Sequence, residues 1–254
     1  MIFLKPKTVQ VLLFLSVFFA ACAGVPPELA VLPGSARTSA YFPLLGGKSV
    51  ALVANQTSRI GDIHLADTLV RAGIRLMKIF SPEHGLTGQA GAGDLIQDGT
   101  YGTTGIPIVS LYGKKKKPAP GDLDGIDVVV FDMQDVGVRF YTYISTLHYA
   151  MEACAENSKP LLLLDRPNPL GHYVDGPVLE PAFQSFVGMH PIPVVYGMTI
   201  GELATMINDE GWLAGRIKCD LKVITCANYS HDSLYRLPVN PSPNLNSMEA
   251  IYLY

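Results

Sequence analysis

The sequence predicts a doubly wound, Rossmann-like α/β fold built on a parallel sheet. Short apolar runs rich in Val, Ile and Leu, such as 49–54 and 126–133, are typical of strands buried on both faces. Segments with apolar residues at helical spacing separate these runs, which favours a parallel sheet covered by helices on both faces. Of the 254 residues, 48% are apolar and 16% are charged, which excludes an intrinsically disordered chain. The length fits one large domain or two small ones.

The predicted elements alternate along the chain. Strands are expected at residues 49–54, 74–80, 106–111, 126–133, 161–164 and 220–224. Helices are expected at residues 63–72, 142–157 and 199–212. The strands are short, continuous and rich in β-branched residues or leucine, whereas apolar side chains in the helices recur every three or four residues.

The first 22 residues predict an exported protein. Lys5 and Lys7 precede an apolar run at 11–21 that is too short to span a bilayer comfortably, so residues 1–21 are predicted to be a signal peptide. The segment 19–22 resembles a lipoprotein cleavage box, although Phe19 stands where Leu is usual. We therefore expect Cys22 to be lipidated and the protein to be periplasmic or at the cell surface, anchored to a bacterial membrane. Ordinary signal cleavage, with Cys22 unmodified, is the alternative.

The remaining chain divides into three predicted parts. Residues 22–45 are expected to be a tether and lead-in, residues 46–240 the Rossmann-like domain, and residues 241–254 a linker and the start of a further domain. The last of these stretches is apolar and strand-like.

Charge and glycine patterns exclude two classes of ligand. The net charge of −3 makes nucleic-acid binding unfavourable, since phosphate neutralisation needs a basic surface. The four lysines at 114–117 are interpreted as a solvated loop tip. A phosphate-binding loop at 46–49 is rejected, because Phe42 stands where it needs glycine and the segment precedes its strand. No cofactor and no metal are predicted.

Polar side chains follow each predicted strand, at the sheet edge where α/β proteins bind ligands. Amides, carboxylates, an arginine and tyrosines match the hydrogen-bonding and flat stacking surfaces that a sugar requires. The candidate substrate-binding residues are Asn55, Gln56, Thr57, Gln134, Arg139, Tyr141, Tyr143, Asp165, Arg166 and Asn168.

Several charged residues near the predicted strand ends have more than one interpretation. Glu83 is a candidate general acid or an ion-paired or capping residue, and His84 either orients a substrate or bonds to the backbone. Asp132 and Asp135 are candidate second carboxylates, metal ligands or helix caps. Arg139 either clamps an acidic substrate group or pairs with one of those aspartates.

The next acidic and basic pair also has two readings. Asp165 and Arg166 are interpreted as a mutual or networked ion pair that shapes the cleft, with direct substrate contact as the alternative.

Five motifs in order resemble the bacterial exo-β-N-acetylmuramidase family. They are NQT at 55–57, SPEHG at 81–85, DMQDVGVRFYTY at 132–143, DRPNPLG at 165–171 and GMTIGELA at 197–204. The resemblance implies an exo-acting glycosidase that releases N-acetylmuramic acid from the non-reducing ends of peptidoglycan fragments during cell-wall turnover. It also implies a Rossmann-like N-terminal domain with its cleft against a smaller C-terminal domain. The chain is therefore expected to be a fragment or a truncated product whose C-terminal domain is missing or incomplete.

Within that resemblance Glu83 is the expected catalytic acid, with His84 beside it and Asp135 as the first candidate partner. The substrate's own acetamido group could instead act as nucleophile. Arg139 could hold the lactyl carboxylate of the sugar. Tyr196 departs from the family, where His is expected. The rival hypotheses are a non-catalytic, lipid-anchored muropeptide-binding protein and a metal-dependent hydrolase using Asp132 and Asp135.

Overall fold

A seven-stranded sheet organises the computed structural model, which describes residues 29–91 and 93–254. The strand order is β5-β6-β4-β1-β7-β8-β9, and every pairing is parallel except β5 with β6. A small antiparallel hairpin, β2–β3, stands apart from this sheet. The strands are β1 (Ser49–Ala54), β2 (Arg59–Ile60), β3 (Ile63–His64), β4 (Arg75–Ser81), β5 (Gly99–Tyr101), β6 (Ile106–Ser110), β7 (Val128–Asp132), β8 (Leu161–Leu164) and β9 (Leu221–Ile224).

Helices connect the parallel strands and cover both faces of the sheet. They are α1 (Thr38–Leu45), α2 (Leu65–Arg71), α3 (Tyr143–Glu156), α4 (Ile200–Asp209) and α5 (Met248–Leu253). The three predicted helices correspond to α2, α3 and α4, and all six predicted strands form. The short strand β5 and the β2–β3 hairpin were not predicted.

Alternation along the central strand explains the two hydrophobic cores. Side chains of β1 point to opposite faces in turn. Val50 and Leu52 pack in one core with α1 and α2, whereas Ala51 and Val53 pack in the other with α3 and α4. All six residues of β1 are buried, as expected for a parallel strand covered on both sides. The doubly wound α/β prediction is confirmed.

The folded unit begins ahead of residue 46. Residues 31–45 pack against the sheet, with Tyr41 and Leu45 fully buried on α1. The amide of Gly34 donates to the Asp165 carbonyl at 2.8 Å. The predicted signal segment and Cys22 lie outside the described residues.

The last stretch of the chain is helical, so the strand-like interpretation was wrong. Ser247 begins α5 as an N-cap, because its hydroxyl accepts a hydrogen bond from the Ala250 amide at 3.1 Å. Ile251 is buried, while Leu253 remains exposed. Among residues 29–91 and 93–254, no helix has the length and apolarity needed to cross a membrane.

Candidate active site

Glu83 lies where three elements meet at the carboxyl end of the sheet. It follows β4, while Tyr112 follows β6 and Thr142 directly precedes α3. The Thr142 hydroxyl donates to Glu83 Oε2 at 3.1 Å. The Tyr112 hydroxyl also hydrogen-bonds Glu83, and this bond, together with burial, raises the pKa of Tyr112. These two donors orient a half-buried carboxyl group.

Glu83 and Thr142 line two adjoining cavities. The larger has a volume of about 530 Å³, within the range of small-molecule sites. The smaller has a volume of about 120 Å³. The larger cavity is also lined by Gly93, Leu95, Tyr112, Gly113, Lys116, Ser185, Phe186 and Val187. The smaller is also lined by His84, Phe140, Tyr141, Tyr143, Ser242, Asn244, Leu245 and Tyr254.

His84 bonds to the backbone and borders the smaller cavity. It has a positive φ of 67°, a conformation that side chains other than glycine adopt rarely. Its Nδ1 lies 2.7 Å from the Ala90 carbonyl oxygen. Since a carbonyl can only accept, Nδ1 carries the proton, and in the neutral ring Nε2 is left as an acceptor. Both predicted roles of His84 are therefore compatible with one another.

Three of the predicted substrate-binding residues form hydrogen bonds between loops. The Thr57 hydroxyl donates to Asn55 Oδ1 at 2.6 Å and accepts from the Gln134 amide at 2.9 Å. Gln134 Nε2 donates to the carbonyls of Asp135 and Pro167, both at 2.8 Å. Asn55, Thr57 and Gln134 are buried, and none of them lines either cavity. The crevice between β1 and β7 is thus closed by internal hydrogen bonds.

The side chains of three more predicted substrate-binding residues approach the carbonyl oxygen of Pro241. Gln56 Nε2 and the Tyr141 hydroxyl each donate to it at 2.8 Å, and the Tyr143 hydroxyl approaches it at 3.4 Å. Burial raises the pKa of Tyr143 to about 12 and that of Tyr141 well above its ordinary value, so both hydroxyls stay protonated as donors. The two tyrosines border the smaller cavity while their hydroxyls hold the chain at Pro241.

Arg166 pairs with Asp132 rather than with Asp165. Its Nε and Nη2 donate to the two Asp132 carboxylate oxygens at 2.7 and 2.8 Å. Both side chains are almost completely buried. Because both oxygens are occupied, Asp132 is poorly suited to bind a metal or to act as a second catalytic carboxylate. No group of three or more His, Cys, Asp or Glu side chains in the described part of the chain could hold a metal ion.

Asp165 and Asn168 position the start of α4. Asp165 accepts from the Gly201 amide at 2.8 Å and the Thr199 hydroxyl at 2.9 Å. Burial raises its pKa to about 6. Asn168 Nδ2 donates to the Met198 carbonyl at 2.8 Å. Neither residue lines the two cavities at Glu83, and their contact with a substrate stays a prediction.

Asp135, the predicted catalytic partner, is buried inside the domain. Its Oδ2 accepts from the Gly137 amide at 2.6 Å and from the Tyr196 hydroxyl. Burial raises the pKa of Asp135 to about 6. It borders neither cavity, and its role as catalytic partner stays a prediction. Tyr196, the departure from the family pattern, serves here as the partner of this buried carboxyl.

Arg139 hydrogen-bonds to a loop and pairs with neither Asp132 nor Asp135 in the described structure, so the predicted ion pair was wrong. Its role as a clamp for an acidic substrate group stays a prediction. Arg139 Nη1 donates to the carbonyls of Pro177 at 2.8 Å and Ile192 at 2.5 Å. These bonds fix the two ends of residues 177–192, the segment that supplies one wall of the larger cavity.

The cavity residues that were not candidates from the sequence include Tyr112, Thr142, Lys116 and Phe186. Tyr112 follows a predicted strand, and Thr142 stands at the start of a predicted helix. These positions were a weak indication that the two residues belong to a site. Lys116 and Phe186 had no such indication, because one belongs to a uniform lysine run and the other to a loop without periodicity.

A family model and a curated protein each match most of this chain. Residues 50–249 match the family described as "Exo-beta-N-acetylmuramidase NamZ, N-terminal". The chain is 43% identical over 221 residues to the Bacillus subtilis (strain 168) protein named peptidoglycan beta-N-acetylmuramidase NamZ, covering 84% of this chain and 52% of that protein.

Two crystal structures of DUF1343 family proteins from Bacteroides fragilis NCTC 9343 superimpose with a TM-score of 0.81 each, at 47% and 37% identity. The matches cover 89% and 90% of this chain but 60% and 59% of those chains. The chain thus spans about half the length of the curated relative that it matches. It belongs to the exo-β-N-acetylmuramidase NamZ family, whose N-terminal domain it represents.

Proposed function

We propose that this chain carries the catalytic acid of an exo-acting glycoside hydrolase, which releases N-acetylmuramic acid from the non-reducing ends of peptidoglycan fragments. One observation carries the proposal. Glu83, oriented by Tyr112 and Thr142, stands on the wall of a cavity of about 530 Å³ at the carboxyl end of the sheet. Membership in the NamZ family supports the same activity.

In the proposed reaction Glu83 donates its proton to the glycosidic oxygen as the bond to the anomeric carbon breaks. The leaving group departs as a neutral alcohol, and positive charge develops on the sugar. Glu83 is the sole carboxylate among the described residues that line these cavities, since Asp132 and Asp135 are held elsewhere. The acetamido oxygen of the substrate therefore serves as the nucleophile. Water then opens the resulting ring, with Glu83 accepting a proton.

The test is Glu83→Gln in the full-length protein, assayed with a chromogenic β-linked N-acetylmuramic acid substrate. Loss of the acid should lower kcat by about 10²–10⁴-fold while binding persists. Glu210→Gln, at an exposed position outside both cavities, is the matched control. Wild-type turnover by Glu83→Gln would overturn the proposal. Binding of muropeptides by the wild type without any turnover would favour the non-catalytic glycan-binding alternative.

We also propose that the protein is exported and anchored through a lipid at Cys22. The basic front, apolar run and cleavage-box residues of 1–22 support this. Cells labelled with radioactive palmitate should yield a labelled protein from the wild type and from Cys226→Ala, and an unlabelled one from Cys22→Ala. Equal labelling of all three would contradict the anchor.

A further inference from the structure

The four lysines at 114–117 do not share one role. Lys115 pairs with Asp122 at 2.5 Å, and Lys117 pairs with Glu152 and Glu156 at 3.1 and 2.8 Å. Lys116 lies between them and forms no ion pair with any carboxylate of the described residues. Instead it lines the larger cavity, and its Nζ stands 4.2 Å from the centre of the Phe186 ring.

The ring beneath Lys116 is itself held in place. Phe186 stacks on Tyr149 of α3, with ring planes 10° apart, and its carbonyl accepts from the Ser145 hydroxyl at 2.6 Å. A cation over an aromatic face is attracted to it and keeps its N–H groups free to donate. Lys116 is therefore a located ammonium group with unused donors, on the wall of the cavity that also contains Glu83.

The hydrogen bonds to Glu83 come from Tyr112 and Thr142, and Lys116 does not pair with it. The wall of the cavity thus carries the ammonium group of Lys116 and the carboxyl group of Glu83, and these two groups do not pair with each other. A ligand that matches both must carry an anionic group as well as the bond that Glu83 would protonate. Arg139, the sequence-based candidate for such an anion, donates through Nη1 to two backbone carbonyls and lines neither cavity.

We infer that Lys116 determines specificity by binding a carboxylate of the ligand in this cavity. This inference rests on the proposed function, in which the group is the lactyl carboxylate that distinguishes N-acetylmuramic acid from N-acetylglucosamine. A charge-assisted hydrogen bond of this kind corresponds to about 10- to 100-fold in affinity. Lys116 thereby selects the acidic sugar, while Glu83 performs the chemistry on either.

Calorimetric binding of two sugars to the full-length protein tests the inference. N-acetylmuramic acid and its lactyl methyl ester differ by one methyl group, which removes the negative charge. For Lys116→Met, affinity for the acid should fall about 10- to 100-fold, and affinity for the ester should change less than about twofold. Lys116→Arg should retain most of the preference for the acid. Lys114→Met, at an exposed neighbouring position, should behave as the wild type.

Equal losses for acid and ester in Lys116→Met, or no loss for either, would overturn the inference, as would wild-type protein that binds neither sugar. Thermal melting of Lys116→Met checks that the protein still folds. If it does not, Lys116→Arg decides, because it keeps the positive charge and should keep the preference for the acid over the ester. The proposed hydrolysis is judged separately. A wild type that binds the acid through Lys116 but never releases product would refute the enzyme and leave the carboxylate site standing.

Discussion

Asp132, at the end of β7, and Arg166, two residues beyond β8, form a two-bond ion pair in the centre of the domain, at 2.7 and 2.8 Å. The guanidinium of Arg166 has almost no exposure to solvent. Asp132 keeps the Arg166 guanidinium charged and raises its pKa, against the opposing effect of burial. The pair joins the ends of two adjacent parallel strands, so it supports the loops that stand where a ligand would otherwise be expected.

Asp132→Asn should destabilise the protein strongly. Removing one charge leaves a buried guanidinium without its counter-ion, which costs about 3–5 kcal/mol. Urea unfolding measures the free energy. Lys115→Met, which removes a more exposed ion pair, should cost less than about 1 kcal/mol. Similar losses for both variants would contradict the special position of the buried pair.

Gly34→Ala tests whether the lead-in belongs to the folded unit. A Cβ at Gly34 would overlap the Ile224 carbonyl oxygen and lie 2.6 Å from the Asp165 nitrogen. Both neighbours are backbone, so we expect a loss of about 1–3 kcal/mol in unfolding free energy. At Gly46 the nearest atom to a Cβ lies at 3.8 Å, and Gly46→Ala should be nearly neutral. A neutral Gly34→Ala would mean that residues 31–45 do not pack as described.

Tyr112→Phe and Thr142→Val should each lower kcat more than they raise KM. Each removes one hydrogen bond that orients Glu83, and such a bond corresponds to about 2- to 10-fold. Steady-state kinetics on the chromogenic substrate separates the two constants. Tyr252→Phe, outside both cavities, is the control. Unchanged kcat in both variants would show that the carboxyl needs no such orientation.

Tyr141→Phe should loosen the chain around Pro241. The change removes a buried donor at 2.8 Å from the carbonyl, which costs about 1–3 kcal/mol. Hydrogen exchange of amides in residues 242–247 should accelerate. Tyr149→Phe removes a hydroxyl that forms no hydrogen bond within the described structure, and it should leave those amides unchanged. Equal exchange in the two variants would refute the role of Tyr141.

Asp135 should make stability depend on pH in an unusual direction. Its folded pKa is raised to about 6 from an ordinary 3.8 by burial. Between those values the folded protein holds a proton that the unfolded chain has released. The contribution is therefore present below about pH 4 and is lost as the pH rises towards 6, by up to about 3 kcal/mol.

Urea unfolding from pH 4 to pH 7 isolates this contribution as the difference between wild type and Asp135→Asn. Asp165, whose folded pKa is also raised to about 6, remains in both proteins and cancels. Asp124→Asn, at an exposed site, should leave the wild-type slope intact. Parallel curves for wild type and Asp135→Asn would rule out the buried neutral carboxyl.

The sequence by itself determined the sheet, its main helices and the position of Glu83 at a strand end. Apolar periodicity is a local property, and β1 and β7 are apolar on both faces because helices cover both. Two small elements were not predicted. The strand β5 has only three residues, which is too short to show a period, and the helix α5 depends on the cap at Ser247.

Only the tertiary structure decided which strand-end polar groups face a ligand. Thr57, Gln134 and Asp135 use the same donors and acceptors for internal bonds that a sugar would use, and no periodicity distinguishes the two uses. The lysine run makes the same point. Lys116 differs from its neighbours only because the folded chain brings carboxylates to Lys115 and Lys117 and an aromatic ring to Lys116. Contacts between residues distant in sequence thus set which groups are left free to bind.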